Sequence, residues 1–196
     1  MELTDRMQLM SSQPIESIDP SKIILEEQVD TLTRTVTFNY SRDTINIRKA
    51  YIDWNIKEDT KYFLTIDSMS FTSVYGVFND SIAISFKTRD EAYYSSIEIT
   101  FDSIPCPLIV QIIKGDKEDL VKQTFLTEGN VATIDYLRPD KYGIKIIYDC
   151  NGNGKWDTGN YPERIQPEKV EYFHEPEITT VSSEKTELKW SLIKIP

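Results

Sequence analysis

The densest run of side-chain oxygens in the chain is Asp149-Cys-Asn-Gly-Asn-Gly-Lys-Trp-Asp-Thr-Gly, residues 149–159. Oxygens at alternate positions with a glycine at the sixth are what a hard cation such as Ca²⁺ requires of a loop. Counted from Asp149, the first, third and fifth places are Asp149, Asn151 and Asn153. The sixth is Gly154, the seventh offers the Lys155 carbonyl, and the ninth is Asp157. The twelfth, where a bidentate carboxylate normally closes the cage, is Asn160. Glu163 lies nearby, at the wrong spacing to replace it. With two formal charges, Ca²⁺ would be held only at a Kd of about 10⁻⁴–10⁻³ M. The same residues also suit a metal-free hairpin. There Asp149, Asn151 and Asn153 would cap their own backbone amides, the glycines would supply positive φ, and Trp156 would pack beneath the loop.

Other chemistry has little to stand on. His174, the single histidine, sits beside Glu175 in Tyr-Phe-His-Glu-Pro and has no Gly-x-Ser-x-Gly elbow to serve. Carboxylates are too plentiful to single out a pair, and neither zinc spacing nor a phosphate loop occurs. The expectation is a non-catalytic protein, with no cofactor apart from weakly held Ca²⁺. Three tryptophans, Trp54, Trp156 and Trp190, could stack on sugar rings if they are exposed in one plane, so a carbohydrate-binding module is the alternative.

Placing that loop takes a β framework. The 196 residues hold only seven Gly and nine Pro, with eleven Tyr, eight Phe and three Trp among many Ile and Thr. That composition suits strands in a folded protein. Ile144, Ile146 and Tyr148, just before the loop, alternate with Lys145 and Ile147, the period of a strand buried on one face. Alternation recurs at Val36, Phe38 and Tyr40, at Tyr62, Leu64 and Ile66, and at Ile82, Ile84 and Phe86. It continues at Ile97, Ile99 and Phe101, and at Leu108, Val110 and Ile112. An extended stretch is expected over Ile45 to Trp54. Short strands with turn signals every 8–12 residues or so predict an all-β chain of two tandem antiparallel β-sandwich domains, at 1–90 and 94–196. The charged Thr88 to Tyr93 segment would join them. Tyr62 and Tyr142 each follow a polar corner, the second with Pro139, at the head of a strand. Each is read as a corner tyrosine with its ring in the core and its hydroxyl bonded to backbone upstream.

A net charge of −10 argues against nucleic acid or an anionic membrane as partner. No apolar run is long enough to span a bilayer, and no signal peptide precedes Leu3. Cys106 lies between two prolines and Cys150 inside the polar loop. One bridge and two free thiols both remain open.

Ser12-Gln-Pro-Ile, Asp59-Thr-Lys-Tyr-Phe-Leu-Thr-Ile and Phe71-x-x-x-Tyr-Gly-x-x-Asn-Asp-Ser-Ile-x-Ile-Ser-Phe-Lys-Thr resemble, in order and spacing, the bacterial Ig-like domain of surface-layer proteins. Gln13 stands where that family usually has Glu. Tyr136-Leu-Arg-Pro-Asp-Lys-Tyr and Asp149-x-Asn-Gly-Asn-Gly-Lys-Trp-Asp-Thr-Gly are similar to prealbumin-like or adhesin B-type sandwich modules. Those modules usually carry an acid where Asn160 stands, and many have Gly in place of Asp140. Together the halves resemble the C-terminal region of Bacteroidetes cell-surface Ig-like lipoproteins. The resemblance implies an extracytoplasmic location at the cell envelope or surface, and a lipid anchor on a part outside this chain. It also implies a structural spacer or protein-interaction role without direct membrane insertion. The partner would be a protein or glycan at the cell surface.

Overall fold

The computed structural model describes residues 1–192, so the last four residues of the second predicted domain lie outside the described residues. The chain divides into two compact units, Met1–Glu91 and Ala92–Pro196. In both, the regular secondary structure is strand apart from one short 3₁₀ turn each, Pro20–Lys22 and Glu91–Tyr93, the latter at the boundary.

The first unit holds β1 (Met7–Met10), β2 (Ile15–Ile18), β3 (Ile23–Val29), β4 (Leu32–Thr35) and β5 (Asn39–Arg42). It continues with β6 (Lys49–Asp53), β7 (Lys61–Ile66), β8 (Phe71–Ser73) and β9 (Ile82–Lys87). Antiparallel pairing gives a four-stranded sheet in the order β4-β3-β7-β9, a three-stranded sheet β1-β6-β5 and the pair β2-β8. Ile23, Leu25, Tyr62, Leu64 and Ile66 from the first sheet meet Ile52 from the second in one core, flanked by Met7, Leu9, Val36, Phe38, Trp54 and Phe86.

Two expectations are corrected here. Val36, Phe38 and Tyr40 do not share a strand. β4 ends at Thr35 and β5 begins at Asn39 in the other sheet, so residues 36–38 carry the chain across the core. The alternation runs on because Val36 and Phe38 still turn inward. The extended stretch over Ile45 to Trp54 also shrinks to β6. The Asp43 carboxylate accepts the Ile45 and Asn46 amides, both at 2.8 Å, which curls the chain into a turn ahead of it.

The second unit holds β10 (Ser95–Phe101), β11 (Leu108–Lys114), β12 (Asp119–Leu126), β13 (Val131–Leu137) and β14 (Lys141–Tyr148). The last strands are β15 (Val170–Tyr172), β16 (Ile178–Thr179) and β17 (Lys185–Trp190). One sheet runs β13-β10-β17, with β10 and β17 parallel; the other runs β12-β11-β14-β15, with β16 paired to the start of β14. Ile97, Ile99, Phe101 and Ile134 face Leu108, Val110, Ile112, Ile144 and Ile146 across a continuous apolar core, which makes this unit a β-sandwich. β14 departs from the one-sided strand expected of it. Ile147 is buried too, opposite buried Ile109 on the neighbouring strand.

The two corner tyrosines differ in polarity. Tyr142 is buried and donates from its hydroxyl to the Arg138 carbonyl at 2.8 Å. Tyr62 is fully buried and instead accepts the Lys57 amide at 3.0 Å. Pro139 lies within the Tyr142 corner. A buried Tyr oxygen needs a partner, and a main-chain group one turn upstream is the nearest available.

Candidate functional site

β14 ends at Tyr148, and the polar loop begins at once. Asp149 is buried and serves as the loop's hub. Its Oδ1 accepts the Asn153 amide at 3.0 Å and its Oδ2 the Gly154 amide at 2.8 Å. Asn151 Oδ1 accepts the Asn153 amide at 3.0 Å, and Asn153 Oδ1 accepts the Lys155 amide at 2.8 Å. The Nδ2 groups of Asn151 and Asn153 both donate to Asp157 Oδ2. Gly152 and Gly154 take φ of 71° and 74°, which a side chain would resist.

The expected ligand residues share one loop, in which the oxygens of Asp149, Asn151 and Asn153 accept the loop's own amides. The Asp157 charge is met by two carboxamide donors. A cation held by this loop would have to displace those donors from Asp157 Oδ2. Among the described residues, no group of three His, Cys, Asp or Glu side chains is set to hold a metal ion. Asn160, at the twelfth place, pairs instead through its backbone with Ile165, amide to carbonyl at 2.9 Å in each direction.

That bridge returns the chain to the loop and brings in Glu168, a residue the sequence reading missed. Its amide donates to the Asp157 carbonyl at 3.0 Å, and its Oε2 accepts the Asp157 amide at 3.2 Å. Its carbonyl accepts Trp156 Nε1 at 3.0 Å. Trp156 is accordingly half exposed rather than packed beneath the loop. No periodicity marks Glu168; only the turn between residues 160 and 165 places it.

Burial raises the Glu168 carboxyl above its ordinary range. Hydrogen bonds from the Asp157 and Cys150 backbone oppose the rise, and the Asp157 and Asp149 charges add to it. Such a group binds its proton more tightly in the folded state. Its stabilising contribution is complete below the ordinary value of 4.5 and is lost as pH rises through the folded value. Glu168→Gln keeps an acceptor for the Asp157 amide and removes the charge. The variant should melt above the wild type at neutral pH, with the gap closing as pH falls below the ordinary glutamate range. A constant gap across a pH series of melting curves would exclude this charge as its source.

Cys106 and Cys150 form a disulfide, with Cα atoms 5.1 Å apart. It ties the segment ahead of β11 to the first turn of the polar loop. The same junction is closed by the Asp149 amide, which donates to the Pro107 carbonyl at 2.9 Å.

The other candidates separate by burial. Trp190 is buried against Phe101 and Phe173, and Trp54 packs on Tyr62 and Phe86, so both belong to cores. Of the three, only Trp156 is exposed, at 47 %. His174 is on the surface, 3.6 Å from Glu175. No helix of the described residues is long and apolar enough to cross a membrane.

No protein-family model matches the chain, and no curated protein matches it. Solved structures do. The major pilin subunit of Bacillus cereus aligns at 11 % identity over 95 % of this chain, with a TM-score of 0.32. This chain spans 59 % of that subunit's length. The minor pilin of Streptococcus agalactiae aligns at 12 % identity over 94 % of this chain and 87 % of its own, with a TM-score of 0.29. A leucine-rich repeat protein of Bacteroides thetaiotaomicron aligns at 10 % over 93 % of this chain and 25 % of its own, at 0.27. At such scores, the β-sandwich description rests on this chain's own strand pairings and core.

Proposed function

We propose that this chain is a non-catalytic, extracytoplasmic pair of β-sandwich domains, Ig-like then adhesin-like. It acts as a structural spacer or protein-interaction module of a cell-surface lipoprotein whose anchor lies outside this chain. The observation that carries the reading is the Cys106–Cys150 disulfide. Disulfides persist in oxidising compartments and are rare in the reducing cytosol. The polar loop then has a mechanical role: Asp149, Asn151, Asn153 and Asp157 stiffen the connection after β14, next to the covalent tie. The test is thiol titration of the denatured protein taken directly from its source cells, with access of an added protease to intact cells as the second arm. No titratable thiol and surface cleavage are expected. Two thiols on a protein sheltered from protease would overturn the proposal.

Calcium is the alternative occupant of the loop's oxygens. If Ca²⁺ bound with a Kd of about 1 mM, about 10 mM would stabilise the fold by roughly 1.4 kcal/mol. Because loop amides already occupy the oxygens of Asp149, Asn151 and Asn153, we expect thermal melts with and without Ca²⁺ to coincide. A shift of the calculated size, matched by calorimetric heat, would restore the metal reading.

A further inference from the structure

We propose that Asn151 is a site of spontaneous covalent modification, converted to aspartate and isoaspartate through a cyclic imide, and that the fold holds Asn153 back from the same reaction. The inference rests on the polar loop alone and stands whichever role the whole chain has.

The chemistry is local. An asparagine followed by glycine lets the next backbone nitrogen reach the side-chain carbonyl carbon most easily, because no Cβ stands in the way. The sequence contains that pair twice, at Asn151-Gly152 and Asn153-Gly154. At the first, the Gly152 nitrogen gives up its proton to solvent and bonds to Asn151 Cγ. The bond from Cγ to Nδ2 breaks, and Nδ2 leaves as ammonia. Water then opens the five-membered imide at either carbonyl. Opening at the side-chain carbonyl gives aspartate. Opening at the main-chain carbonyl gives isoaspartate, with the main chain routed through the former side chain. The net change consumes one water and releases one ammonia, and nothing is oxidised or reduced.

The fold sets the order of the two sites. Ring closure requires the glycine nitrogen to release its proton. The Gly154 amide donates to Oδ2 of buried Asp149 at 2.8 Å, a charge-assisted bond that keeps that proton in place. The Gly152 amide donates to the neutral Asp149 carbonyl at 3.1 Å. The surroundings agree. Asn151 and Gly152 are exposed, and a carbon added to Gly152 would meet nothing within 4 Å. Gly154 is half-buried, and a carbon added there would stand 3.5 Å from the Phe125 ring. The asparagine side chains themselves do not discriminate. Each donates from Nδ2 to Asp157 Oδ2 and accepts one loop amide at Oδ1. The glycine that follows makes the difference.

Modification acts where the loop is closed. A carboxylate in place of the Asn151 carboxamide has no proton for Asp157 Oδ2, so one of the two donors there gives way to a like charge. Isoaspartate also lengthens the main chain between Cys150 and Gly152, inside the turn that the Gly152 amide closes on the Asp149 carbonyl.

The test incubates the full chain, with its disulfide intact, in mildly alkaline buffer and follows the loop by digestion and fragment mass spectrometry. The mass gain of an amide-to-acid exchange should appear at Asn151 first. It should lead Asn153 by about fivefold to tenfold, the ratio between freeing an amide from a neutral and from a charged acceptor. In the same chain reduced and denatured, both asparagines precede a glycine without these bonds, and the lead should disappear. Asn151→Gln, whose imide would need a six-membered ring, should lose the early product and keep the slow one at Asn153. Equal rates in the folded chain, or a lead for Asn153, would overturn the proposal. So would a folded chain that stays unmodified while the denatured chain reacts. A lead for Asn151 that persists after denaturation would also overturn it, because the order would then belong to the flanking sequence and not to the fold.

Discussion

Replacing both Cys106 and Cys150 by alanine should lower the stability of the second unit by about 4 kcal/mol and leave the first unchanged. The two cysteines are 44 residues apart, and the bond closes β11, β12, β13 and β14 into one ring. Loop-closure entropy removed from the unfolded chain for a ring of about this size is worth roughly 4 kcal/mol at 25 °C. Against a typical domain stability of about 5–15 kcal/mol, that is a large share. Because two units need not unfold together, a single melting temperature would blur the effect. Native-state hydrogen exchange on the full chain separates them. Amides of Ile97, Ile144 and Ile146 should lose protection in the double variant, and those of Leu25 and Leu64 should not. If both groups exchange as in the wild type, the bond is ornamental to stability. Reduction of the wild type should reproduce the variant. Agreement between the two would show that the covalent tie, not the thiol side chains, carries the effect.

What made this bond hard to foresee is general to the chain. Local alternation is legible because its cause is local: Tyr62, Leu64 and Ile66 all turn inward for the same pleat, as do Ile97, Ile99 and Phe101. The same signal misleads at Val36 to Tyr40, where a crossover between sheets keeps its side chains inward and so keeps the period of a strand. Contacts between distant residues leave no mark at all. Neither the meeting of Cys106 with Cys150 nor the return of Glu168 to Asp157 has a spacing that could announce it. Residue type was equally silent on Trp54, Trp156 and Trp190, which are chemically alike and end in different surroundings. The polar loop itself was readable, because Asx side chains that bond amides two to five residues ahead act within a few positions. Ile82 and Ile84 show the converse. Their inward period was plain, and only the assembled sheets reveal that the core stops short of covering them.

Gly159→Ala should be the most damaging single change in the polar loop, costing about 2–4 kcal/mol. Gly159 has φ of 77°, and an added Cβ would stand 2.6 Å from the Ile165 carbonyl oxygen and the Pro167 nitrogen. It would also lie 2.7 Å from the Gln166 carbonyl carbon. All three are backbone atoms, so no rotamer relieves the clash and the returning segment has to move. That movement breaks the Asn160–Ile165 bridge and withdraws Glu168 from Asp157 and Trp156. Gly152→Ala supplies the control. Its φ of 71° carries the same left-handed penalty, about 1–2 kcal/mol, but nothing lies within 4 Å of the added carbon. The difference between the two variants therefore isolates the close crossing. It can be read from unfolding curves and from the Trp156 indole N–H resonance, which should lose its Glu168 bond in the first variant and keep it in the second. Equal losses, with the indole signal unmoved, would mean that the crossing yields freely. The loop would then be held by Asp149 and the disulfide alone, with Asn160 and Glu168 free to leave. Its oxygens would in that case be far easier for a cation to recruit than the closed arrangement permits.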